Sequence, residues 1–444
     1  MKLPKAIVLM LVVILIVAAA AFPQEGRQQN LKAVKCAKLI DVKSGSVTNN
    51  AVIFIEGDKI KFVGTDSPVP PGVEVIDLNA TVLPGLIDCH THLLMNYNGV
   101  FGGDDPNMIL TVTQMSTAKR ALLGAAMARE DLEAGITTVR DLGNSGWNGD
   151  VALRDAINAG WVTGPRIAAS TRALSAAGGQ FGIVSAEAQK IIEQEYVVIS
   201  GVEEARRAVR QALYDGADLI KVIVNTGSRV VSLEEMRVII EETHRVGKKV
   251  AAHATNDFAA RIAAEAGVDS IEHAYTISDA VLRMMAEKKI YLVPTDSPVE
   301  GYIDIRLKPQ NLTPVQLKQQ EQQIRFGFSF SRKRLERAIK AGVPIAAGSD
   351  MYYLWPGKTR GQASLAMVRA YAESGMTPLE IIRAATINAA DLLGWQNRVG
   401  SIEPQKYADL IAVEGDPLKD ISELERIRFV MKGGTVIKHD FAKK

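Results

Sequence analysis

The sequence contains little cysteine: Cys36 and Cys89 are the two in 444 residues. Two thiols cannot form the network of crosslinks that stabilises small secreted domains, so a disulfide-rich scaffold is excluded. The fold must depend on a hydrophobic core instead, and hydrophobic residues make up 47% of the chain, a share typical of globular proteins. We expect both cysteines to be buried free thiols.

The chain also has little excess charge of either sign. Lysine and arginine number 52 against 50 aspartate and glutamate residues, which leaves a net charge of +2. A nucleic-acid-binding protein needs a strong basic stripe, and nothing in the composition indicates one. No nucleic-acid partner is therefore expected.

A long apolar run stands at the N-terminus. Lys2 and Lys5 form a short positive head, residues 6–17 are continuously apolar, and residues 18–21 are small. This order is typical of a secretory signal peptide, so we expect residues 1–21 to be cleaved and the protein to be periplasmic or extracellular. An uncleaved anchor is the alternative, although a membrane span needs ~20 apolar residues. After cleavage no stable membrane span is expected.

Short strand-like stretches occur at both ends of the chain. Residues 52–56 and 59–63 flank a Gly-Asp turn, which predicts a β-hairpin. Residues 409–414 and 428–438 are again β-like. We therefore expect one small β-sandwich domain that is built from both chain ends, residues 28–84 and 396–440.

The middle of the chain alternates between strand and helix patterns. Apolar strand-like runs begin near Gly85, Thr137, Arg166, Leu219, Val250, Ser270, Tyr291 and Pro344. Helical patterns cover residues 118–134, 233–246, 258–266 and 280–287, and Thr377-Pro378 opens another helix. Eight strands alternating with helices predict an α/β fold, a (β/α)8 TIM barrel over residues 85–395. A doubly wound open sheet is the alternative, but no G-x-G-x-x-G follows the first strand.

Four of the six histidines stand at predicted strand ends. His90 and His92 end the first barrel strand, and residues two apart on a strand face the same side, so both rings can bind one ion. His253 and His273 end the fifth and sixth strands. A lone histidine in such a place is more often an ordinary core residue, but together these positions favour metal ligands.

Two further residues complete the pattern. Lys221 stands among five apolar residues on the fourth strand, where desolvation favours a neutral amine; such an amine can add carbon dioxide and form a metal-bridging carbamate. Asp350 ends the eighth strand. A snorkelling lysine and a turn aspartate are the ordinary alternatives. All six positions nevertheless fall at carboxyl ends of predicted strands, where the active sites of barrels form.

The sequence resembles the amidohydrolase superfamily and, within it, the prolidase-like metal-dependent hydrolases (dipeptidases of the Xaa-Pro or Xaa-Arg type). The resemblance covers nearly the whole mature chain. It is carried by residues 82–92 (VLPGLIDCHTH), 216–221 (GADLIK), 250–254 (VAAHA), 267–273 (GVDSIEH) and 347–350 (AGSD). It implies a barrel flanked by a small β-sandwich, and a centre of two divalent metal ions, usually zinc.

The resemblance also implies a role for each residue of the centre. His90, His92 and Asp350 would hold one ion, and His253 and His273 the other. A carbamate on Lys221, formed from carbon dioxide, would bridge the ions together with a hydroxide. Asp350 would be catalytic, taking the proton of the hydroxide and passing it to the leaving amine. The implied substrates are dipeptides or N-acyl amino acids, cleaved at the amide bond.

Such substrates carry a free carboxylate, which requires a cation in the pocket. Arg229, in the loop after the fourth strand, and Arg172, at the end of the third, are candidates, although either can be an ordinary surface residue. Tyr352 and Tyr353 are expected to flank the pocket. Relatives often have histidine after the Gly-Gly pair of the third-strand loop, whereas Gln180 stands here, so their substrate preference is not carried over.

Two other functions stay open on this sequence. One is a single-metal hydrolase of cyclic amides similar to imidazolonepropionase, which has no need of the fourth-strand lysine. The other is a non-catalytic binding protein on a decayed barrel, against which all six ligand positions are filled. Relatives often form homo-oligomers, so one is expected here. Outside the site, His244 is predicted to lie on a solvated helix, His439 to be inert, and residues 318–337 to form a solvated helix.

Overall fold

The computed structural model describes residues 31–98, 106–307 and 310–442. The expected signal peptide, residues 1–21, and the first residues of the expected small domain, 28–30, lie outside the described residues. Within the described ranges, no helix is both long and apolar enough to cross a membrane.

The strands follow one another along the chain in two groups, with a return to the first group at the end. Their bounds are β1 Leu31–Ile40, β2 Val47–Glu56, β3 Lys59–Thr65, β4 Glu74–Pro84, β5 Leu86–Thr91, β6 Tyr97–Asn98, β7 Ile136–Asp141, β8 Arg166–Ala169, β9 Ala173–Ser175, β10 Tyr196–Val198, β11 Leu219–Ile223, β12 Asn225–Thr226, β13 Arg229–Val230, β14 Lys249–Asn256, β15 Ser270–Thr276, β16 Tyr291–Val293, β17 Tyr353–Leu354, β18 Leu410–Val413, β19 Phe429–Lys432 and β20 Thr435–His439.

Strands from both chain ends form one seven-stranded sheet, in the order β20-β19-β18-β4-β1-β2-β3. The predicted hairpin is β2–β3, which pairs Glu56 with Lys59. The sheet has its own hydrophobic core, in which Ile53, Leu78 and Phe429 are fully buried. Strands of both chain ends thus form one mostly antiparallel sheet, in which β1 and β4 are the parallel neighbours.

The barrel is built from parallel strands, most of whose side chains are buried. The sheet orders β5-β7-β8 and β9-β11-β14-β15-β16 give its first seven strands. The third strand is interrupted: β8 pairs with β7 and β9 pairs with β11, and Thr171 between them has a φ of 62°. Because of the break, the first half of the third strand pairs with β7 and the second half pairs with β11.

The eighth barrel segment begins at Pro344, as expected, but it does not form a continuous ladder. Separate hydrogen bonds connect it to the seventh strand, among them Leu292 N to Pro344 O at 2.9 Å and Ala346 N to Leu292 O at 3.1 Å, and to the first strand, among them Cys89 N to Ala347 O at 2.7 Å. These bonds close the ring of strands and exclude the doubly wound alternative. The (β/α)8 barrel predicted from the alternation is confirmed.

Helices surround the barrel. Their bounds are α1 Pro106–Gln114, α2 Thr117–Glu133, α3 Gly149–Asn158, α4 Gln189–Glu195, α5 Val202–Tyr214, α6 Leu233–His244, α7 Asp257–Ala266, α8 Asp279–Lys288, α9 Val299–Leu307, α10 Pro314–Lys340, α11 Arg360–Leu365, α12 Met367–Glu373, α13 Pro378–Ala384 and α14 Ile387–Leu392. The helix predicted to open at Thr377-Pro378 is α13, where Thr377 and Glu380 form a capping box. The charged stretch 318–337 lies in α10, most of whose N-terminal half is exposed.

The small sheet is joined to the bottom of the barrel by a compact polar contact. Arg166, the first residue of β8, donates two hydrogen bonds of 3.0 Å to the carboxylate of Asp409. The same guanidinium lies 3.5 Å from the ring centroid of Tyr407, and Gly433 N donates to Asp409 Oδ1 at 2.7 Å. Because Asp409 is 5% exposed, this contact is largely shielded from water.

Candidate metal centre

Three of the predicted ligands meet at one point of the barrel mouth. His90 belongs to β5, His92 directly follows the last residue of that strand, and Asp350 ends the eighth segment. The Nε2 atoms of the two histidines lie 3.4 and 3.2 Å from Asp350 Oδ1, and ligand atoms of all three residues lie within 4.8 Å of one another. Two imidazole nitrogens and a carboxylate oxygen at this spacing suit a divalent transition metal.

The remaining two histidines face this group from across the mouth. His253 of β14 and His273 of β15 have ring centroids 4.6 Å apart, and the rings of His273 and His90 are 5.0 Å apart. Asp350 Oδ2 lies 3.8 Å from His273 Nδ1, so Asp350 contacts both halves of the cluster. The barrel therefore brings all four histidines and the aspartate together.

Lys221 completes the cluster from β11. Its side chain is 2% exposed, and Nζ has no hydrogen-bond partner among the described residues. Burial lowers the pKa of this amine to about 8, although Glu272 and Asp350 act in the opposite direction. An orphaned and partly neutral amine beside four histidines and an aspartate is costly unless something else occupies the space around it.

Three of the four histidines, His90, His253 and His273, are held in the neutral form that a metal requires. Burial lowers the pKa of His90 to about 4 and that of His253 to about 3, with Lys221 adding to both shifts. Burial also holds the pKa of His273 well below its usual value. Burial alone would raise the pKa of Asp350, but the neighbouring His90, His92 and Lys221 outweigh it and lower it. At neutral pH the site thus offers lone pairs and a carboxylate.

A buried ion pair beneath the ligands was not anticipated from the sequence. Glu272 Oε2 lies 2.8 Å from His90 Nδ1, and its other oxygen accepts a 2.8 Å hydrogen bond from Arg140 Nη2. The Arg140 guanidinium and the His90 contact hold the pKa of Glu272 at about 2 even though burial raises it. A carboxylate on one nitrogen of a histidine orients the ring and directs the other nitrogen at the metal. The acidic residue directly before His273 is the sequence feature that could have indicated this ion pair.

Backbone conformation at the mouth is also unusual. His273 and Asp350 have φ values of 71° and 51°, in the left-handed region that residues with a Cβ rarely adopt. Asp350 N is nevertheless held by a 2.7 Å hydrogen bond to His90 O. Such outliers persist where the surrounding structure over-determines them, as at binding sites.

The family of the chain follows from its similarity to known proteins. A protein-family model described as "Amidohydrolase family" matches residues 81–437. The chain belongs to the amidohydrolase family. It is 33% identical over 436 residues to the ochratoxinase of Aspergillus niger, covering 90% of this chain and 86% of that one. It is 25% identical over 397 residues to the imidazolonepropionase of Fusobacterium nucleatum subsp. nucleatum, with 82% and 85% covered.

Among solved structures, this amidohydrolase is similar to a Xaa-Pro dipeptidase with methionine bound in its active site. The TM-score is 0.76 at 30% identity, over 92% of this chain and 100% of the other. The resemblance predicted from the sequence is confirmed. The chain is an enzyme, a hydrolase that acts on C–N bonds of amides, and its family is typically metal-dependent.

The centre of this amidohydrolase opens into a cavity of about 1150 Å³. The four histidines, Asp350 and Lys221 line this cavity. Of the predicted substrate contacts, Arg229 and Tyr352 also line it. Arg172 and Tyr353 are not among its described lining residues. Arg172 instead lies 3.9 Å from the ring centroid of Trp147 and donates to Glu193 O, and Tyr353 packs in a small apolar cluster behind the site. The interrupted third strand explains why Arg172 points away.

Arg229 organises the loop that carries Gln180. Its guanidinium donates to Ala177 O at 2.8 Å and to Phe181 O at 2.7 Å. A Cβ on Gly178 would lie 2.0 Å from Arg229 Nη1, so glycine is required there. Gln180 therefore reaches the cavity in a fixed position, with Nε2 3.4 Å from His253 Nδ1.

The residues excluded from the site lie where the sequence predicted, and the cysteines are as expected. His244 ends α6 and its Nε2 is 2.8 Å from Asp269 Oδ2, outside the barrel mouth. His439 ends β20 in the small sheet and packs edge-on against Phe429. Cys36 and Cys89 are buried free thiols.

Proposed function

We propose that this enzyme cleaves the amide bond of dipeptides or N-acyl amino acids at a centre of two divalent metal ions. The observation that carries the proposal is Lys221: a fully buried amine with no partner among the described residues, enclosed by four histidines and an aspartate. A carbamate on this amine, formed from carbon dioxide, removes the cost of the orphaned group and supplies two oxygens for metal binding.

The donor set fits two ions. His90, His92 and Asp350 would hold one and His253 and His273 the other, with the Lys221 carbamate shared between them; zinc suits these ligands. When bound, the ions supply Lewis acidity and lower the pKa of water, so that hydroxide is available near neutral pH. The fit rests on the chemistry of the donors and on the unpartnered Lys221 Nζ.

The protein's own groups then handle orientation and protons. Asp350, with oxygens towards both halves of the cluster, accepts the proton of the attacking water and transfers it to the leaving amine. Glu272 and Gly143 O fix the rings of His90 and His92 through their Nδ1 atoms. Tyr275, which lines the cavity beside His273, is placed to donate to a developing oxyanion.

The substrate class is supported by the names of the relatives, which include a Xaa-Pro dipeptidase and an ochratoxinase. Among the described lining residues, the cations are Lys221 and Arg229. With Lys221 committed to the centre, Arg229 is left to bind the carboxylate of the substrate. Its two bonds to backbone carbonyls leave further N–H donors for that purpose.

The alternative is a one-metal hydrolase of cyclic amides, in line with the imidazolonepropionase relative. Lys221 separates the two functions, because a one-metal centre has no use for it. In the two-metal enzyme, Lys221→Ala removes the bridge, lowers metal content below two per chain, and leaves a polar hole. Added acetate or formate should then restore part of the activity, as measured by rescue kinetics on the folded variant. Unchanged metal stoichiometry without acid rescue would favour the one-metal function.

Three further proposals concern the protein as it exists in the cell. We propose that residues 1–21 are removed, that the enzyme works in the periplasm or outside the cell, and that it forms homo-oligomers. N-terminal sequencing of exported protein and its mass in solution test these proposals separately from the chemistry. An intact Met1 in exported protein would contradict cleavage.

The decisive experiment is an activity profile of the mature protein after reconstitution with zinc and bicarbonate. A panel of dipeptides and N-acyl amino acids is compared with cyclic amides, and each linear substrate with its carboxyl-amidated counterpart. We expect about two metals per chain and hydrolysis of the free acids. Arg229→Gln also removes the bonds to Ala177 O and Phe181 O, so it should raise KM for both kinds of substrate, and by a larger factor for the free acids than for their amidated counterparts. Turnover of cyclic amides alone, at one metal per chain, would overturn the proposal.

A further inference from the structure

One buried arginine connects the two chain segments that carry His90, His92 and Asp350. Arg360 is the first residue of α11, and it is 4% exposed. Its Nη1 donates to Met95 O at 2.9 Å. Its Nη2 donates to Thr91 Oγ1 at 2.9 Å, to His92 O at 3.1 Å and to Met351 O. The acceptors thus belong to the end of the first strand and to the residue directly after Asp350.

The two segments are also joined by direct hydrogen bonds. Cys89 N bonds to Ala347 O at 2.7 Å, Asp350 N to His90 O at 2.7 Å and His92 N to Met351 O at 3.2 Å, and Ser349 donates through N and Oγ to the carboxylate of Asp88. The Arg360 guanidinium adds bonds to both segments from one side chain, at the level of the ligands. The planar fork of arginine can reach acceptors in several directions at once, which a lysine ammonium cannot do in the same rigid way.

The side chain is not engaged in an ordinary salt bridge. No carboxylate within hydrogen-bond distance of the guanidinium occurs among the described residues, and Nε has no partner there. Asp88, Asp131 and Asp141, all fully buried, act on Arg360 through longer-range attraction. These carboxylates compensate the buried charge, while the donors of both Nη atoms are used on the two segments.

We propose that Arg360 is a positioning residue for the metal centre: it sets the distance between the histidine pair His90 and His92 and Asp350. This inference rests on the proposed metal site. Without the guanidinium, the ligands stay in the chain but the spacing at which they meet is no longer held. The effect should therefore appear as a loss of metal affinity at this half of the centre, beyond any loss of stability.

The test measures metal binding directly rather than activity. Apo protein is titrated with Zn²⁺ by calorimetry and with Co²⁺ by its visible absorption, for the wild type and for Arg360→Ala. The dissociation constant should rise roughly 10- to 100-fold, as for other groups that orient metal ligands. Arg360 lines a second cavity of about 420 Å³, through which millimolar methylguanidinium can enter the space left by the side chain and restore affinity.

Arg166→Ala is the matched control. Arg166 is also a largely buried arginine that joins two segments, but it does so at the opposite end of the barrel, through Asp409. This variant should lose stability and keep the metal dissociation constant of the wild type, with no response to methylguanidinium. The comparison separates loss of a buried arginine as such from loss of the spacing at the ligands.

The outcomes are distinguishable. A wild-type protein that binds no metal would remove the proposed function. Tight metal binding by the wild type together with the same affinity in folded Arg360→Ala would overturn only the role of Arg360. Should Arg360→Ala fail to fold, Arg360→Lys replaces it, since the ammonium keeps the charge. That variant should show weakened metal binding, and unchanged affinity would again overturn the inference.

Discussion

Asp350 is the residue in which geometry and chemistry are most closely tied. It faces three histidines, its backbone lies in the left-handed region, and its carboxyl is kept ionised by its neighbours. The general-base role proposed for Asp350 needs such a fixed orientation, because a carboxylate that turned to solvent could not reach the attacking water.

Asp350→Asn should therefore lower turnover without unfolding the protein. Asparagine keeps the shape of the side chain but cannot accept the proton, and loss of general-base action costs roughly 10²–10⁴-fold in kcat. The measurements are kcat, metal content and circular dichroism on the same preparation, since asparagine is also a weaker ligand. Near-normal turnover at full metal content would exclude Asp350 from the chemistry.

The raised pKa of Asp131 predicts how the stability of the protein depends on pH. Burial raises its pKa to about 7, partly offset by Arg360, and Oδ2 has no partner among the described residues. Since the unfolded chain binds this proton less tightly, the folded state loses stability as pH rises from about 4 through 7. The loss is roughly 2–4 kcal/mol across the window.

Asp131→Asn removes that dependence. The variant should gain stability relative to the wild type between pH 5 and pH 8, as measured by urea unfolding at both values. Ser364 Oγ donates to Asp131 Oδ1 at 3.1 Å. In the variant it can still donate to the amide oxygen of the asparagine. An equal difference from the wild type at both pH values would show that Asp131 does not titrate in this range.

Among the elements, the eighth barrel segment passes closest to a ligand. A Cβ on Gly348 would lie 2.8 Å from His90 Cβ and 2.4 Å from Val293 Cγ1. Two well-packed neighbours cannot both move aside, so the segment must shift away from β5. Glycine at this position is needed for close approach rather than for backbone freedom.

Gly348→Ala should cost roughly 1–3 kcal/mol of stability from overpacking and weaken metal binding through the displacement of His90. Gly327→Ala is the control: nothing lies within 4 Å of the position of its Cβ, and alanine in a helix is favoured by about 1 kcal/mol. Thermal unfolding and metal titration of both variants give the comparison. A Gly348 variant with wild-type metal affinity would mean that the segment can relax without moving His90.

At the level of the whole molecule, the small sheet is fastened to the barrel at the end opposite the metal centre. The contact of Arg166 with Asp409 and Tyr407 joins residues that are more than 240 positions apart in sequence. Its loss should therefore affect the stability of the assembly of the two domains and spare the ligands.

Asp409→Ala should destabilise the protein by roughly 2–4 kcal/mol, because it leaves the Arg166 guanidinium and Gly433 N without their charged acceptor. Metal content per folded chain should stay the same. Glu56→Ala, which breaks the exposed pair with Lys61, should change stability by less than about 1 kcal/mol. Denaturant unfolding tests both, and equal effects would show that burial of the Arg166 contact is unimportant.

The clustering of the six candidate ligands could be predicted from the sequence because it follows from local rules. Alternating side chains put His90 and His92 on one face of a strand, and the carboxyl ends of parallel strands in a barrel meet at one mouth. His253, His273, Lys221 and Asp350 were found in the same way, each at the end of an apolar run. The same alternation of strands and helices determined the barrel, and the β-like chain ends indicated a second domain.

What only the tertiary structure decided depends on contacts between distant parts of the chain. Arg172 and Arg229 are equal candidates by position, and the break in the third strand turns the first away while the second lines the cavity. Glu272 and Arg140 pair although they are 132 positions apart in the sequence. Arg360 bonds to a residue 269 positions away. A side chain's partner at such separation is set by how the strands close into a ring, and no local pattern encodes it.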